Sequence, residues 1–228
     1  AKRLFPNFAF IDAPFNKQYY KEGDFNTEIA YMGCRTRVIG DVTSPDNEVV
    51  TGRGNLSFTT INLPRLGIKY GICLKEREKP DMKGFYQELG EVMDIVRDQL
   101  LERFEVQCSK HNYNFPFLLG QGVWTNGEKL KPSDRLRKVW KHGSLSTGFI
   151  GLAECLKALT GKHHGESEES QKLGLEIIKF MRDRCDENSK KYNLNFTCLA
   201  TPAEGLSGRF TRIDRAIYGK IKGVTDRE

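Results

Sequence analysis

Between Lys83 and Cys108, apolar residues recur at intervals that only a helix places on one face. Counted from Phe85, the positions Leu89, Val92, Met93, Val96, Leu100 and Phe104 fall at offsets of 4, 7, 8, 11, 15 and 19. This spacing predicts an amphipathic helix over 83–108. Leu56 to Leu63 (LSFTTINL) is rich in β-branched and aromatic residues and reads as a strand that Pro64 ends. Further on, Ser144 to Thr160 is almost wholly apolar or small and predicts a helix buried on most sides, with Ser144 as its N-cap and Gly161 as its C-terminal cap. Glu166 to Lys190 predicts a more charged helix with Leu173, Ile177, Phe180 and Met181 inward and an acidic first turn. Asn195 to Ala200 reads as a strand. The order strand, helix, helix, strand argues an α/β fold with parallel strands. Phe5 to Asp12 adds a short strand, and Phe115 to Leu119 another short strand or buried run. Thr43 to Val49 and Gly120 to Asp134 read as loops.

Composition bounds the class. The chain has 228 residues, 38% hydrophobic and 29% charged, enough for one large domain or two small ones. That excludes a disordered, collagen-like or disulfide-scaffold chain. No internal repeat or sharp domain boundary is visible. The net charge of +6 suits a small anionic ligand as well as a polymer, but no dense Lys/Arg stripe marks a nucleic-acid binder. No run of about 18 apolar residues offers a membrane span. The chain opens on Ala1-Lys2-Arg3 and closes on Asp226-Arg227-Glu228, which suggests a processed domain or part of something longer.

The cysteines are Cys34, Cys73, Cys108, Cys155, Cys185 and Cys198, with no CxxC pair to suggest zinc. Cys155 and Cys198 lie in apolar runs and read as small buried hydrophobes, and Cys73, Cys108 and Cys185 as structural thiols. A reducing cytoplasm fits this usage. His163 and His164 sit in a polar turn and read as surface residues.

Four segments could carry chemistry. In Met32-Gly33-Cys34-Arg35-Thr36-Arg37, a thiol beside a glycine and two arginines could be a nucleophile, a redox group, a radical carrier or simply a buried cysteine. Gly52-Arg53-Gly54-Asn55 allows a close backbone approach to a ligand, or a tight turn into the strand. Lys141-His142-Gly143-Ser144 could hold an anion at a helix start, or be a plain cap. In Thr201-Pro202-Ala203-Glu204-Gly205-Leu206-Ser207, Thr201 as N-cap, Pro202 at N1 and Glu204 at N3 spell a capping box after a parallel strand, where open α/β folds bind phosphate.

Together these segments resemble the anaerobic (class III) ribonucleoside-triphosphate reductases, which are glycyl-radical enzymes. The matching stretches are FPNFAFIDAPFN at 5–16, MGCRTRV at 32–38, GRGNLSFTTINLPRLGI at 52–68, WKHGSLSTGFIGLAECLKALTGKHHGE at 140–166 and LATPAEGLSGRFTRID at 199–214. The resemblance implies a ten-stranded α/β barrel of two half-barrels, threaded by a finger loop, here about 30–56, with Cys34 at its tip. It implies that Cys34 becomes a thiyl radical and removes hydrogen from C3′ of the ribose. The 2′-hydroxyl then leaves as water and a deoxyribonucleotide results. Such a radical has to be shielded from solvent, which a closed barrel does.

Asn55, 21 residues beyond Cys34, and Met32 match pocket residues of the formate-using members. Thr201, Ala203, Glu204, Gly205 and Ser207 match the turn, about 199–209, that receives substrate phosphates. Glu204 could instead reach the ribose or act as a cap, and Gly205 stands where many relatives have serine. His142 falls near the barrel mouth as a further substrate contact. The implied partners are a ribonucleoside triphosphate, dNTP and ATP effectors, a radical-SAM activating enzyme and a second copy in a homodimer, with no DNA, RNA or membrane. Formate is the implied reductant, with a thiol protein as the alternative. The sequence lacks the Arg-Val-x-Gly-Tyr radical loop, the four-cysteine zinc site of the C-terminal tail, the regulatory cone and the first half-barrel, so the glycyl radical and the zinc both belong outside these residues. The chain therefore reads as the central part of a catalytic subunit, inactive by itself. The alternatives are another glycyl-radical enzyme of the pyruvate formate-lyase type and a non-catalytic nucleotide-binding module.

Overall fold

The structure, a computed structural model, describes residues 10–29, 31, 37–38, 40–46 and 50–226. The described elements run α1 (Pro14–Lys17), β1 (Asn55–Asn62), α2 (Leu63–Tyr70), α3 (Met82–Cys108), α4 (Arg137–Trp140), β2 (Ser144–Ile150), α5 (Leu152–Thr160), α6 (Glu168–Tyr192), β3 (Asn195–Ala200) and α7 (Glu204–Tyr218). Short 3-10 turns lie at Phe25–Thr27, Asn112–Asn114 and Gly127–Lys129. Cys34 and Met32, and residues 5–9 of the first expected strand, lie outside the described residues.

The strands form one sheet in the order β1-β2-β3. Ser144 N–H donates to Gly54 O (3.0 Å) where β1 and β2 begin, and Thr201 N–H to Phe149 O (3.0 Å) where β2 and β3 end. Pairing start to start and end to end makes the strands parallel. Mixed α/β architecture with a parallel sheet is therefore what these residues build.

The chain divides into two compact units. The first takes in residues 1–57, 101–145 and 188–196. Its core holds Phe104, Leu119, Trp124, Leu136, Val139, Trp140 and Leu145, each buried. Trp124 and Trp140 meet edge to face at 4.8 Å, and Trp124 Nε1–H donates to Val139 O (2.9 Å), so the indole is buried without losing its hydrogen bond. The second unit takes in residues 58–100, 146–187 and 197–228. Pro64 ends β1 as expected and at once starts α2, where a missing N–H costs nothing, while Asn62 Oδ1 accepts from Arg65 N–H. A Cβ on Gly67 would lie 2.7 Å from Cys155 O, so α2 and α5 approach backbone to backbone there. Leu63, Ile68, Phe85, Leu89, Leu156, Leu159, Ile177 and Met181 fill the surrounding core.

The helical periods hold. Phe85, Leu89, Met93, Val96, Leu100 and Phe104 are buried on α3, and Ile177 and Met181 on α6. Four expectations fail. Residues 10–12, the described end of the first expected strand, form a turn. Residues 144–160 are not one helix. Ser144–Ile150 is strand β2, and α5 starts only at Leu152. Gly151, at φ 78°, makes the break, in a left-handed conformation that a helix interior excludes. Ser144 therefore caps nothing and is instead a buried strand residue. Gly161 does close α5, at φ 83°. Thr201 is not the N-cap of the last helix. That helix begins at Glu204 after Ala203, with no side-chain cap. Thr201 Oγ1 is committed elsewhere, 2.9 Å from Thr60 Oγ1. Residues 115–119 form turns rather than a strand, with only Leu119 fully buried.

Candidate functional site

The described candidate residues fall into both units. Asn55 and His142 lie in the first, and Thr201, Ala203, Glu204, Gly205 and Ser207 in the second.

In the first unit, Asn55 opens β1 immediately after Gly52-Arg53-Gly54. Its Oδ1 accepts from Ser144 Oγ at 3.4 Å. A Cβ on Gly143 would lie 2.5 Å from Leu56 Cγ and 3.1 Å from Gly54 O, so only glycine lets the start of β2 sit this close to β1. Next to Gly143 lies a buried polar cluster that spacing along the chain gives no hint of. His142 Nδ1 is 2.7 Å from Asp41 Oδ2, and Thr43 Oγ1 donates to Asp41 Oδ1 at 2.8 Å. Asn195 Nδ2 donates to the same Oδ1 at 3.1 Å, while Asn195 Oδ1 accepts from Val42 N–H at 2.9 Å. Arg53 donates through Nε to His142 O (2.8 Å) and through Nη2 to Gly40 O (2.7 Å).

The side chains of Arg53 and Asp41 are 1% and 3% exposed, so their opposite charges are desolvated and must compensate one another, and His142 beside them is 7% exposed. Burial by itself would raise the Asp41 pKa. Hydrogen bonds from His142, Thr43 and Asn195, with the Arg53 charge, outweigh it and hold the carboxyl well below the usual carboxylate range. An ionised Asp41 only accepts hydrogen bonds, so Nδ1 of His142 carries a proton and donates it.

In the second unit, β3 ends at Ala200 and α7 starts at Glu204. Thr201 is buried, Glu204 and Gly205 are exposed, and Ser207 is half-buried. A Cβ on Gly205 would meet nothing within 4 Å, so the main chain here is open to a ligand. The first amides of a helix have no partner inside it, and the positive end of the helix dipole favours an anion. Ala203 N–H bonds back to Thr201 O (3.1 Å), Ser207 N–H continues to Ala203 O (3.1 Å), and Ser207 Oγ donates to Glu204 O (2.7 Å). The turn is held from beneath by the Thr60–Thr201 hydroxyl pair and by Gly148, whose Cβ would lie 2.2 Å from Thr201 Oγ1. Ser207 and Gly208 also line a cavity of about 610 Å³ with Asn62, Gly151, Asp214 and Lys222. Asp214 is buried there and accepts from Asn62 Nδ2 and Arg65 Nε, each at 2.7 Å.

The described cysteines are free thiols. Cys108, Cys155 and Cys185 are buried, whereas Cys73 and Cys198 are half-buried, so Cys198 is less enclosed than its apolar run implies, and desolvation keeps all five protonated. The pKa is pushed up to about 11 for Cys108 and Cys185, to about 12 for Cys198 and further still for Cys155. Buried thiols of this kind make poor nucleophiles and poor metal ligands. Among the described residues, no group of three or more His, Cys, Asp or Glu side chains could hold a metal ion, so these residues do not fit zinc. No described helix is long and apolar enough to cross a membrane. Asp41, Thr43, Thr60, Gly148 and Asn195 were not legible as site residues. Their partners lie up to 154 residues away in the chain, and no local pattern announces them.

The family described as anaerobic ribonucleoside-triphosphate reductase matches residues 1–228. The enzyme of that name from Haemophilus influenzae is 30% identical over 231 residues, taking in 100% of this chain and 30% of the relative. That of Enterobacteria phage T4 is 30% identical over 229 residues, taking in 100% of this chain and 34% of the relative. The chain thus spans about a third of the length of these curated relatives. The anaerobic ribonucleotide reductase of Thermotoga maritima, solved with citrate in the active site, superposes with a TM-score of 0.53 at 18% identity, over 76% of this chain and 29% of the other. Its complex with dATP and CTP gives a TM-score of 0.54 at 15% identity, over 76% and 26%. At those identities the likeness is one of fold.

Proposed function

The chain belongs to the anaerobic ribonucleoside-triphosphate reductase family, and from that premise we propose that it forms the central part of the catalytic barrel of such an enzyme, carrying the radical cysteine and the phosphate turn. In this reading Cys34 is the thiyl radical that takes the C3′ hydrogen of a ribonucleoside triphosphate, with loss of the 2′-hydroxyl as water. Asn55 and Met32 line the pocket beside it. The Asn55 amide hydrogen-bonds the ribose hydroxyls or formate. The family match over residues 1–228, which takes in both Cys34 and the Thr201–Ser207 turn, carries this reading.

The open main chain at Glu204 and Gly205, on a helix start that follows a parallel strand, suits the substrate phosphates. Thr201 supports the turn from beneath, since its hydroxyl is paired with Thr60 and its N–H with Phe149 O. Ala203 and Ser207 complete the turn. Glu204 makes no cap and is exposed, and a carboxylate does not favour a phosphate, so it reaches toward the ribose. The ten-stranded barrel with its finger loop, the glycyl radical, formate, the dNTP and ATP effectors, the radical-SAM activating enzyme, the homodimer and a cytoplasmic location complete the proposal. The glycyl radical, when present, supplies the oxidising equivalent that makes the thiyl.

The test is anaerobic reduction of ribonucleoside triphosphates by the full-length polypeptide that carries this sequence, activated to its glycyl radical. Cys34→Ala abolishes deoxynucleotide formation while the protein stays folded and still binds nucleotide. Turnover surviving in that variant refutes the assignment.

A further inference from the structure

His142 was expected as a substrate contact, but its pairing with Asp41 has no part in the reading above. With Arg53, the two form the most deeply buried set of ionisable side chains among the described residues of the first unit. It joins segments that are remote in sequence. Gly40 to Thr43 follows the radical cysteine, Arg53 to Asn55 leads into β1, Lys141 to Ser144 leads into β2, and Asn195 opens β3. Asp41 receives His142, Thr43 and Asn195. Arg53 reaches both Gly40 O and His142 O, tying the segment after Cys34 to the segment that ends in Asn55. Asn195 completes the set with its bonds to Val42 N–H and to the carbonyls of Lys141 and Gly143. Removing one partner would leave a buried charge uncompensated, so the arrangement is all or nothing. A buried ion pair is no great source of stability compared with apolar packing. It does fix geometry, because charge-assisted hydrogen bonds are short and directional.

We propose that Asp41 and His142 form a charged latch that fixes the segment following Cys34 against the segment carrying Asn55, making both of them positioning residues for the radical step. The proposal rests on the reading of Cys34 and Asn55 given above. Hydrogen abstraction demands close placement of sulfur against C3′, and a displacement of about 1 Å costs on the order of 10²-fold in rate. His142 Nδ1 holds Asp41, Arg53 holds the His142 carbonyl, and Thr43 and Asn195 saturate the second carboxylate oxygen. Among the described residues, Arg53 is the charged side chain that acts on Asp41.

The test uses the full-length enzyme, activated anaerobically, with Asp41→Asn, His142→Gln and the double variant. Glycyl-radical EPR intensity at the wild-type level certifies folding and activation. If either single variant fails that check, Thr43→Val, which removes only one donor to Asp41, takes its place. With the latch as proposed, each single variant lowers kcat about 10- to 100-fold. KM stays within about threefold, since substrate binding is not the latch's task. The double variant is no slower than the worse single one, because the two residues act as a unit. Unchanged kcat in the single variants overturns the proposal, as do losses that multiply in the double variant or a rise in KM that accounts for the whole effect. If the wild-type enzyme reduces no ribonucleotide, or if Cys34→Ala retains activity, the functional reading itself fails. Normal turnover in the wild type, loss in Cys34→Ala and no effect of the latch variants sink the latch alone.

Discussion

Gly148 is the residue whose replacement reports most directly on how the Thr201–Ser207 turn, proposed above to receive phosphate, is held. Its missing Cβ would lie 2.2 Å from Thr201 Oγ1, 3.0 Å from Thr60 Oγ1 and 3.3 Å from Thr59 O, whereas ordinary contact begins at 3.4 Å. Gly148→Ala therefore requires the Thr201 hydroxyl to move by about 1.2 Å, the difference between 3.4 and 2.2 Å. Thr201 is buried and its N–H is bonded to Phe149 O, so the backbone resists that shift. Turning the side chain instead gives up the 2.9 Å bond to Thr60. Overpacking of this kind costs about 1–3 kcal/mol, and the lost hydrogen bond adds about 0.5–1.5 kcal/mol. Urea unfolding of the chain should show a loss of about 1.5–4.5 kcal/mol. With the turn receiving the substrate phosphates as proposed, its displacement in the full-length enzyme should weaken nucleotide binding by about 10- to 100-fold, the worth of one charge-assisted hydrogen bond to phosphate. Gly148→Ala combined with Thr201→Ala vacates the clash and should recover the overpacking part. Stability within about 0.5 kcal/mol of wild type for Gly148→Ala, the scatter of neutral surface changes, would refute the argument. A double variant less stable than Gly148→Ala alone would do the same.

Other outcomes follow from the same geometry. The folded-state pKa of Asp41 is depressed, so its contribution to stability is complete above the ordinary carboxylate pKa and is lost as pH falls toward the folded value. The urea midpoints of wild type and Asp41→Asn should therefore differ at pH 7 and converge below about pH 4, and a gap that stays constant with pH would count against an ionised Asp41. Asp214→Ala removes the acceptor for Asn62 and Arg65 and should cost about 1–3 kcal/mol in urea unfolding, against no change if the pair merely touches. At pH 8 the buried thiols should alkylate slowly with iodoacetamide, Cys155 slowest of all, and should all react once urea unfolds the chain. Fast labelling of Cys155 in the native state would contradict its burial.

Much of the architecture was legible because it rests on period and punctuation. The stripe from Phe85 to Phe104 made α3 readable, and Gly161 and Pro64 marked ends that the structure places close to where they were expected. The long motifs around Cys34, Asn55 and Thr201 likewise point to the reductase family, to which the whole chain belongs. What the sequence could not decide was any choice that depends on a distant partner. The run from Ser144 to Ala153 is uncharged, small or apolar throughout, and so has no period to separate a strand from a helix. Pairing with β1 and β3, and the left-handed turn at Gly151, made Ser144–Ile150 a strand. Thr201 has every local mark of a helix cap, but a hydroxyl 141 residues away competes for it and wins. The Asp41–His142–Asn195 cluster is invisible in one dimension for the same reason. Local propensity is written residue by residue along the chain. The burial that compels charges and hydroxyls to find partners exists only once remote segments have been brought together.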